Sequence, residues 1–290
     1  MNDRRQKLAW TDRARLTVRG RGWLARQVSD HDGAIPADAL PYPGVPFLRI
    51  GHRGAAALEP ENTLRGIETA LRFGVDMVEV DVRPCADGTL VIAHDDHFKR
   101  VTGRRGRVSA TALAELKALD VGKGERIPTL EEVLALLRGR ALVNLDQKRD
   151  NLAQQLLRAI DRAGKREETM LSGNAAATFR AFHELAPSVR LAENAGAPWN
   201  RLHQRLLARY SAGAARSQAG RILAAVRGAR ADCATIDWRL AAPDVVRRLH
   251  RARVPVLIWT VDDLPTMQAL KRAGVDGVTS NRPDLLMQLR

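Results

Sequence analysis

The runs Val78-Glu79-Val80-Asp81-Val82 and Ala141-Leu142-Val143-Asn144-Leu145-Asp146-Gln147-Lys148 alternate apolar and polar residues with a period of two. That period belongs to a β-strand, whose successive side chains point to opposite faces. In the first run the valines share one face, and Glu79 and Asp81 share the other. In the second, Val143 and Leu145 share one face, and Asn144, Asp146 and Lys148 the other. Such strands suit a parallel barrel. Their apolar faces pack under a ring of helices, and the acids gather at the C-terminal mouth.

Outward from these runs, short apolar stretches alternate with longer segments of helical period. Strands are expected near Phe47–Ile50, Val75–Val80, Ala141–Leu145, Thr169–Leu171, Val189–Leu191, Ala234–Ile236, Val256–Ile258 and Gly277–Thr279. A further run, Thr89–Ala93, follows the turn signal Ala86-Asp87-Gly88 and reads as a small hairpin built onto the second strand. Helices are expected over Asn62–Phe73, Leu130–Leu137, Leu152–Ala163, Ala175–Leu185, Pro243–Arg251 and Leu264–Ala273. Gly74 and Gly274 stand where helix C-terminal glycines do. The alternation predicts a parallel sheet, closed or doubly wound. Residues 46–290, about 245 in all, match the typical size of about 250 for a (β/α)8 barrel. Residues 1–45 read as a basic N-terminal extension, ending in the helix-breaking stretch Pro41-Tyr42-Pro43-Gly44-Val45-Pro46.

Composition narrows the class. The chain has 290 residues, 45% hydrophobic and 28% charged, which is a globular balance. Two cysteines exclude a disulfide framework and a Cys-rich zinc site, and Cys85 and Cys233 read as ordinary thiols. No apolar run approaches the roughly 20 residues that span a bilayer. The Arg-rich first thirty residues hold no apolar signal core, so a cytoplasmic setting is expected. A net charge of +14 attracts anions. The arginines are scattered and form no dense basic block, so nucleic acid is not the expected partner. Trp199, Leu202, Leu206 and Tyr210 fall at i, i+3, i+7 and i+11 with Arg201, Arg205 and Arg209 off the stripe. Trp10 and Trp23 lie among the arginines of the extension. Both segments admit peripheral contact with an anionic membrane, or simple packing on the barrel.

The polar inner faces carry the chemistry. Glu79, Asp81 and Asp146 would converge at one mouth, with Lys148 at its rim. Converging carboxylates repel unless protonated or joined by a cation. An all-oxygen set suits Mg2+ or Ca2+ rather than zinc. His52, in Ile50-Gly51-His52-Arg53-Gly54, and His94, in Ala93-His94-Asp95, each follow a short apolar run and can reach the same mouth. Histidine exchanges protons near neutral pH. Arg53 and Lys148 offer fixed charge for a phosphate. Each feature alone has a structural explanation: a hydrogen-bonded histidine, a solvated strand face, a salt-bridged rim. Their combination in one chain favours a site.

These residues resemble the glycerophosphodiester phosphodiesterase family. The resemblance rests on His52-Arg53-Gly54, Pro60-Glu61-Asn62-Thr63, Glu79-x-Asp81 and His94-Asp95. It continues through Asn144-Leu145-Asp146-x-Lys148, Trp259-Thr260-Val261-Asp262 and Gly274-Val275-Asp276-Gly277 before Pro283, and spans about residues 47–288. Residues 195–232 match no part of the pattern. The resemblance implies a TIM-type barrel, a divalent metal, and hydrolysis of a phosphodiester to glycerol 3-phosphate and an alcohol. Position by position it implies Glu79, Asp81 and Asp146 as metal ligands and His52 and His94 as the acid–base pair. Arg53 and Lys148 would hold the phosphate, Trp259 would line the cleft, and Glu61 would lie near metal or substrate. Two departures stand out. The third acid is commonly Glu and here is Asp146, one methylene shorter. Ser280-Asn281-Arg282-Pro283 replaces the commoner Thr-Asp-x-Pro form, a change expected to matter less.

The substrate expected is a small-molecule or lipid phosphodiester. Soluble head-group diesters and lysophospholipids, the latter cleaved in a lysophospholipase D-type reaction at a membrane surface, both fit the sequence. The alternatives from other classes are a non-catalytic phosphate-binding barrel and a nucleic-acid binder. Intact Glu79, Asp81, His52 and His94 oppose the first, and scattered arginines the second. A phosphoinositide phospholipase C-like barrel would also use two histidines, and Glu79-x-Asp81 directly on the second strand favours the diesterase.

Overall fold

A computed structural model describes residues 45, 47–173, 176–195 and 212–289. Nine strands form one sheet: β1 Leu48–His52, β2 Met77–Pro84, β3 Leu90–Ile92, β4 Leu142–Gln147, β5 Thr169–Gly173, β6 Arg190–Asn194, β7 Cys233–Asp237, β8 Val256–Trp259 and β9 Gly277–Ser280. Eight are parallel neighbours in the order β1-β9-β8-β7-β6-β5-β4-β2, and β1 pairs with β2 to close the barrel. β3 pairs antiparallel with β2, as Val82 opposite Ile92, and is the expected hairpin. All eight expected barrel strands are present, several running one or two residues further toward the mouth.

The helices among the described residues are α1 Leu64–Phe73, α2 Lys99–Thr102, α3 Leu113–Ala118, α4 Leu130–Leu136, α5 Ala153–Ala163, α6 Ala176–Leu185, α7 Ala212–Ala229, α8 Pro243–Arg251, α9 Leu264–Arg272 and α10 Pro283–Leu286. Their ends follow local chemistry. Thr63 caps α1 by accepting from Gly66 N, and Gly74 closes it in the left-handed conformation. Thr129 and Glu132 form a reciprocal capping box on α4. The buried Lys165 ammonium donates to the carbonyls of Leu137 and Ala141 beyond the end of α4 and pairs with Glu168. Helix α7 falls in the stretch without a sequence assignment. Its buried residues Ala215, Ala219, Ile222 and Val226 do follow a helical period, but small alanines make a weak apolar signal. The extension (apart from Val45) and the Trp199–Tyr210 stripe lie outside the described residues. No described helix is long and apolar enough to cross a membrane.

Strand parity sorts the interior. Val78, Val80, Val82, Val143 and Leu145 face outward into the core shared with the helices, beside Ile67, Val133, Leu134 and Leu156. The inward positions near the strand starts, Leu48, Ile50, Met77, Leu142, Met170, Cys233 and Leu257, form an apolar floor. Gly277 sits against that floor, where an added Cβ would lie 2.8 Å from the Leu48 Cβ. Beyond the floor the inward positions become polar: His52 registers with Glu79, Glu79 with Asn144, and Asp81 with Asp146. At the opposite rim, buried Asp76 accepts from Arg49, and buried Asp276 accepts from Val256 N and pairs with His250. These acids pin strand starts and stand apart from the mouth.

Gly54 shows how tightly the β1–α1 turn is packed. Its φ is +85°, and a Cβ there would lie 2.5 Å from the Gly66 carbonyl carbon. Gly139 has a similar backbone (φ +66°) with open space around it. Gly139→Ala should therefore cost about 1 kcal/mol, the backbone strain alone. Gly54→Ala adds collision to strain and should cost at least about 2 kcal/mol. Urea unfolding of the two variants measures the difference.

Candidate active site

Glu79 and Asp81 project from the mouth end of β2 and Asp146 from the adjacent β4. One carboxylate oxygen from each lies within 4.8 Å of the others, and this is the acidic cluster the sequence places at the mouth. Burial of Glu79, reinforced by the charges of Asp81 and Asp146, pushes its carboxyl well above the usual carboxylate range. Asp81 is also buried, and burial opposes its charge. Lys148 and Arg53 outweigh that and hold its carboxyl below the usual value. Lys148 Nζ lies 2.7 Å from Asp81 Oδ1 and 2.6 Å from Asp146 Oδ2. Burial disfavours the ammonium, but those two acids keep its pKa raised.

Arg53 meets the cluster in three ways. Its backbone N–H donates to Glu79 Oε2 at 3.0 Å. Its Nε lies 3.2 Å from Asp81 Oδ2, an ion pair not aligned as a hydrogen bond. Its Nη1 donates to Glu61 Oε1 at 2.9 Å. Glu61 also accepts from both terminal nitrogens of Arg100, at 2.7 and 2.8 Å. Glu61 thus bridges the mouth arginine to the α2 segment. Burial works against its charge, but Arg100 and Arg53 lower its pKa.

The two histidines are oriented in parallel ways. His52 Nδ1 lies 2.6 Å from Asn281 Oδ1. Asn281 Nδ2 donates to Asp262 Oδ2 at 2.6 Å, which fixes the amide with its oxygen toward the ring. Nδ1 therefore carries the proton, and Nε2, 3.8 Å from Glu79 Oε2, keeps its lone pair. Burial, with Arg53 beside it, lowers the His52 pKa and favours the neutral ring. His94 Nδ1 pairs with Asp95 Oδ1 at 2.8 Å, and Arg100 Nε donates to Asp95 Oδ2 at 2.7 Å. The His94 backbone carbonyl accepts from Arg83 Nε and Nη2 at 2.9 and 2.6 Å. His94 and Lys148 line one cavity of about 600 Å³ beside the acids. Trp259 ends β8 with its indole Nε1 buried and unpartnered.

All nine residues singled out from the sequence thus lie on the mouth side of the barrel. Two further residues escaped it. Asn281, in a loop expected to matter less, turns out to hold His52. Asn62, a motif residue given no role of its own, donates to Asp81 Oδ2 at 2.7 Å and accepts from the Asp81 backbone at 3.2 Å. Its left-handed φ of 58° is a conformation Asn tolerates better than most residues, and that was the available signal.

Two buried carboxylates and the half-buried Asp146, without a thiolate among them, form a donor set that fits a hard divalent cation. Glu79 in particular is buried beside two other acids, and its ionised form calls for added positive charge. Acids and fixed cations around a barrel mouth, with neutral imidazole at hand, suit cleavage of an anionic ester, which sets this chain among barrel phosphoesterases. The comparisons agree. The model of the glycerophosphoryl diester phosphodiesterase family matches residues 52–285, and the chain belongs to that family of hydrolases, which act on glycerophosphodiesters. A glycerophosphodiester phosphodiesterase of Caldanaerobacter subterraneus is 29% identical over 271 residues, covering 83% of this chain and 97% of the relative. One of Bacillus subtilis is 25% identical over 269 residues, covering 84% and 86%. A solved Oleispira antarctica phosphodiesterase, in complex with the product sn-glycerol-3-phosphate, superposes with a TM-score of 0.68 at 25% identity, covering 83% of this chain and 96% of its own.

Replacing Asn62 with Ala leaves a buried Asp81 oxygen and backbone N–H without their partner and imposes left-handed strain. Asn62→Ala should lower stability by about 2 kcal/mol, read from the urea midpoint.

Proposed function

We propose that this barrel hydrolyses glycerophosphodiesters with soluble head groups to glycerol 3-phosphate and an alcohol, using a divalent metal and the paired histidines. The observation that carries the reading is the convergence of Glu79, Asp81 and Asp146 beside His52, with Lys148 joining that cluster to the cavity of His94. Glu79, Asp81 and Asp146 would hold Mg2+ or Ca2+. Such an ion, when bound, supplies Lewis-acid polarisation of the phosphoryl group.

The remaining work falls to the chain's own side chains. Arg53 and Lys148 stabilise charge developing on the phosphoryl oxygens. Their present partners are carboxylates, and neutralising those acids frees both cations to turn toward the substrate. His52 acts as base: its Nδ1 is engaged by Asn281, and its Nε2 lone pair accepts the proton of the nucleophile. His94 acts as acid: Asp95 engages Nδ1, and a proton on Nε2 passes to the departing oxygen. Trp259 contributes an apolar wall against the glycerol or head group.

Each proton transfer is typically worth about 10²–10⁴-fold. His52→Ala and His94→Ala should each lower kcat by at least about 10²-fold with the unfolding midpoint preserved. Release of glycerol 3-phosphate from glycerophosphocholine, glycerophosphoethanolamine and a lysophospholipid provides the measurement. EDTA should abolish turnover and added Mg2+ or Ca2+ should restore it. Full activity in EDTA would refute the metal assignment, and a lysophospholipid preferred over both soluble diesters would refute the head-group assignment.

A further inference from the structure

The cavity of about 600 Å³ beside the acids has its own electrostatic character. Its lining includes four cationic side chains, Arg83, Lys99, Arg100 and Lys148, against two carboxylates, Asp95 and Asp96. His94 and His97 complete it. The carboxylates are already engaged. Asp95 accepts from Arg100 and pairs with His94, and Asp96 accepts from Ser109 N and Oγ and lies 3.6 Å from Arg107.

Two of the cations lack such compensation in their direct bonds. Arg83 stands two residues beyond Asp81 on β2, and the hydrogen bonds it makes go to the neutral carbonyl of His94. Lys99 opens α2 and is exposed at the cavity edge. Arg100 is paired with Glu61 and Asp95, and Lys148 with Asp81 and Asp146, whereas Arg83 and Lys99 are lining cations that no described carboxylate pairs directly, on the side of the mouth where His94 sits; Arg83 senses Asp96, Asp81 and Asp95 only at longer range. On the reading above, His94 protonates the departing oxygen, so the alcohol leaves into this space. A choline or ethanolamine ammonium would meet like charge there.

We infer that this cavity is a leaving-group subsite selecting glycerophosphodiesters whose alcohol carries a second anionic group, a phosphate or carboxylate, with Arg83 and Lys99 as its specificity-determining residues. The inference rests on the proposed diesterase reaction and names the substrate class for that same site. Charge within a few ångströms of the leaving group discriminates between alcohols, and it fades as salt screens the exposed groups.

Three diesters test it on the full chain with metal supplied. Bis(glycerophospho)glycerol has a leaving alcohol that bears a second phosphodiester, glycerophosphoglycerol releases neutral glycerol, and glycerophosphocholine releases a cation. At low ionic strength kcat/KM should rank in that order, with the first at least about tenfold above the second. A ratio of two is expected from the molecule's two equivalent ends alone. Raising salt to about 0.5 M should shrink the preference toward that ratio. Lys99→Glu should do the same at low salt, and Lys99→Gln should have a smaller effect in the same direction. Lys99 is exposed, and an unchanged thermal midpoint separates loss of selectivity from loss of fold. Equal kcat/KM for glycerophosphoglycerol and glycerophosphocholine, or a bis-diester ratio near two in the unmodified protein, would overturn the inference while leaving the diesterase reading intact. Failure to cleave any of the three would overturn both.

Discussion

Two buried carboxylates and a half-buried third, converging from neighbouring strands, impose a demand that the surrounding structure answers. Glu79 and Asp81 cannot avoid each other, being two residues apart on one face of β2, and Asp146 registers directly against Asp81. Burial and the charges of its two neighbours raise the proton affinity of Glu79. Lys148, Arg53 and Asn62 all turn toward them, the first from just beyond β4 and the other two from the connection between β1 and α1. The left-handed residue in the Pro60–Thr63 turn and the tight glycine turn after β1 make sense as the means of bringing Asn62 and Arg53 to that point.

The same economy governs the histidines. Asp262 fixes Asn281, which fixes His52; Arg100 fixes Asp95, which engages His94. Glu61 joins the two sides by holding Arg53 and Arg100 together. The reacting groups are thus set by chains of charged and amide contacts running back to loops after β1, β3, β8 and β9. An asparagine rather than a carboxylate behind His52 orients the ring without adding negative charge to it, which accords with an imidazole kept neutral. Loops of this kind sit at the end of the barrel where the inward residues are polar, and the apolar floor beneath them carries the packing.

Much of this was readable before any coordinates. Period-two alternation in Val78–Val82 and Ala141–Lys148 identifies which side chains face inward, because the pleat admits no other arrangement. The eight barrel strands and the hairpin follow from short apolar runs bounded by turn residues. Helix α7 was not readable, since half of its buried stripe is alanine. Neither was the role of Asn281, whose partner His52 is 229 residues away in the chain.

The sequence by itself determined the alternating strands and helices, the shared strand face of Glu79 with Asp81 and the polar face of Asp146, and the presence of two histidines at strand ends, because these depend on local periodicity and chain order; closure into a barrel was legible only through chain length and the family resemblance. Tertiary structure alone decided which cation meets which acid, that Glu61 bridges two arginines, and that Arg83 and Lys99 line one cavity with His94. Those outcomes depend on distances between segments far apart in the chain, and pairing among charges is set by where folding leaves them, which no local pattern records.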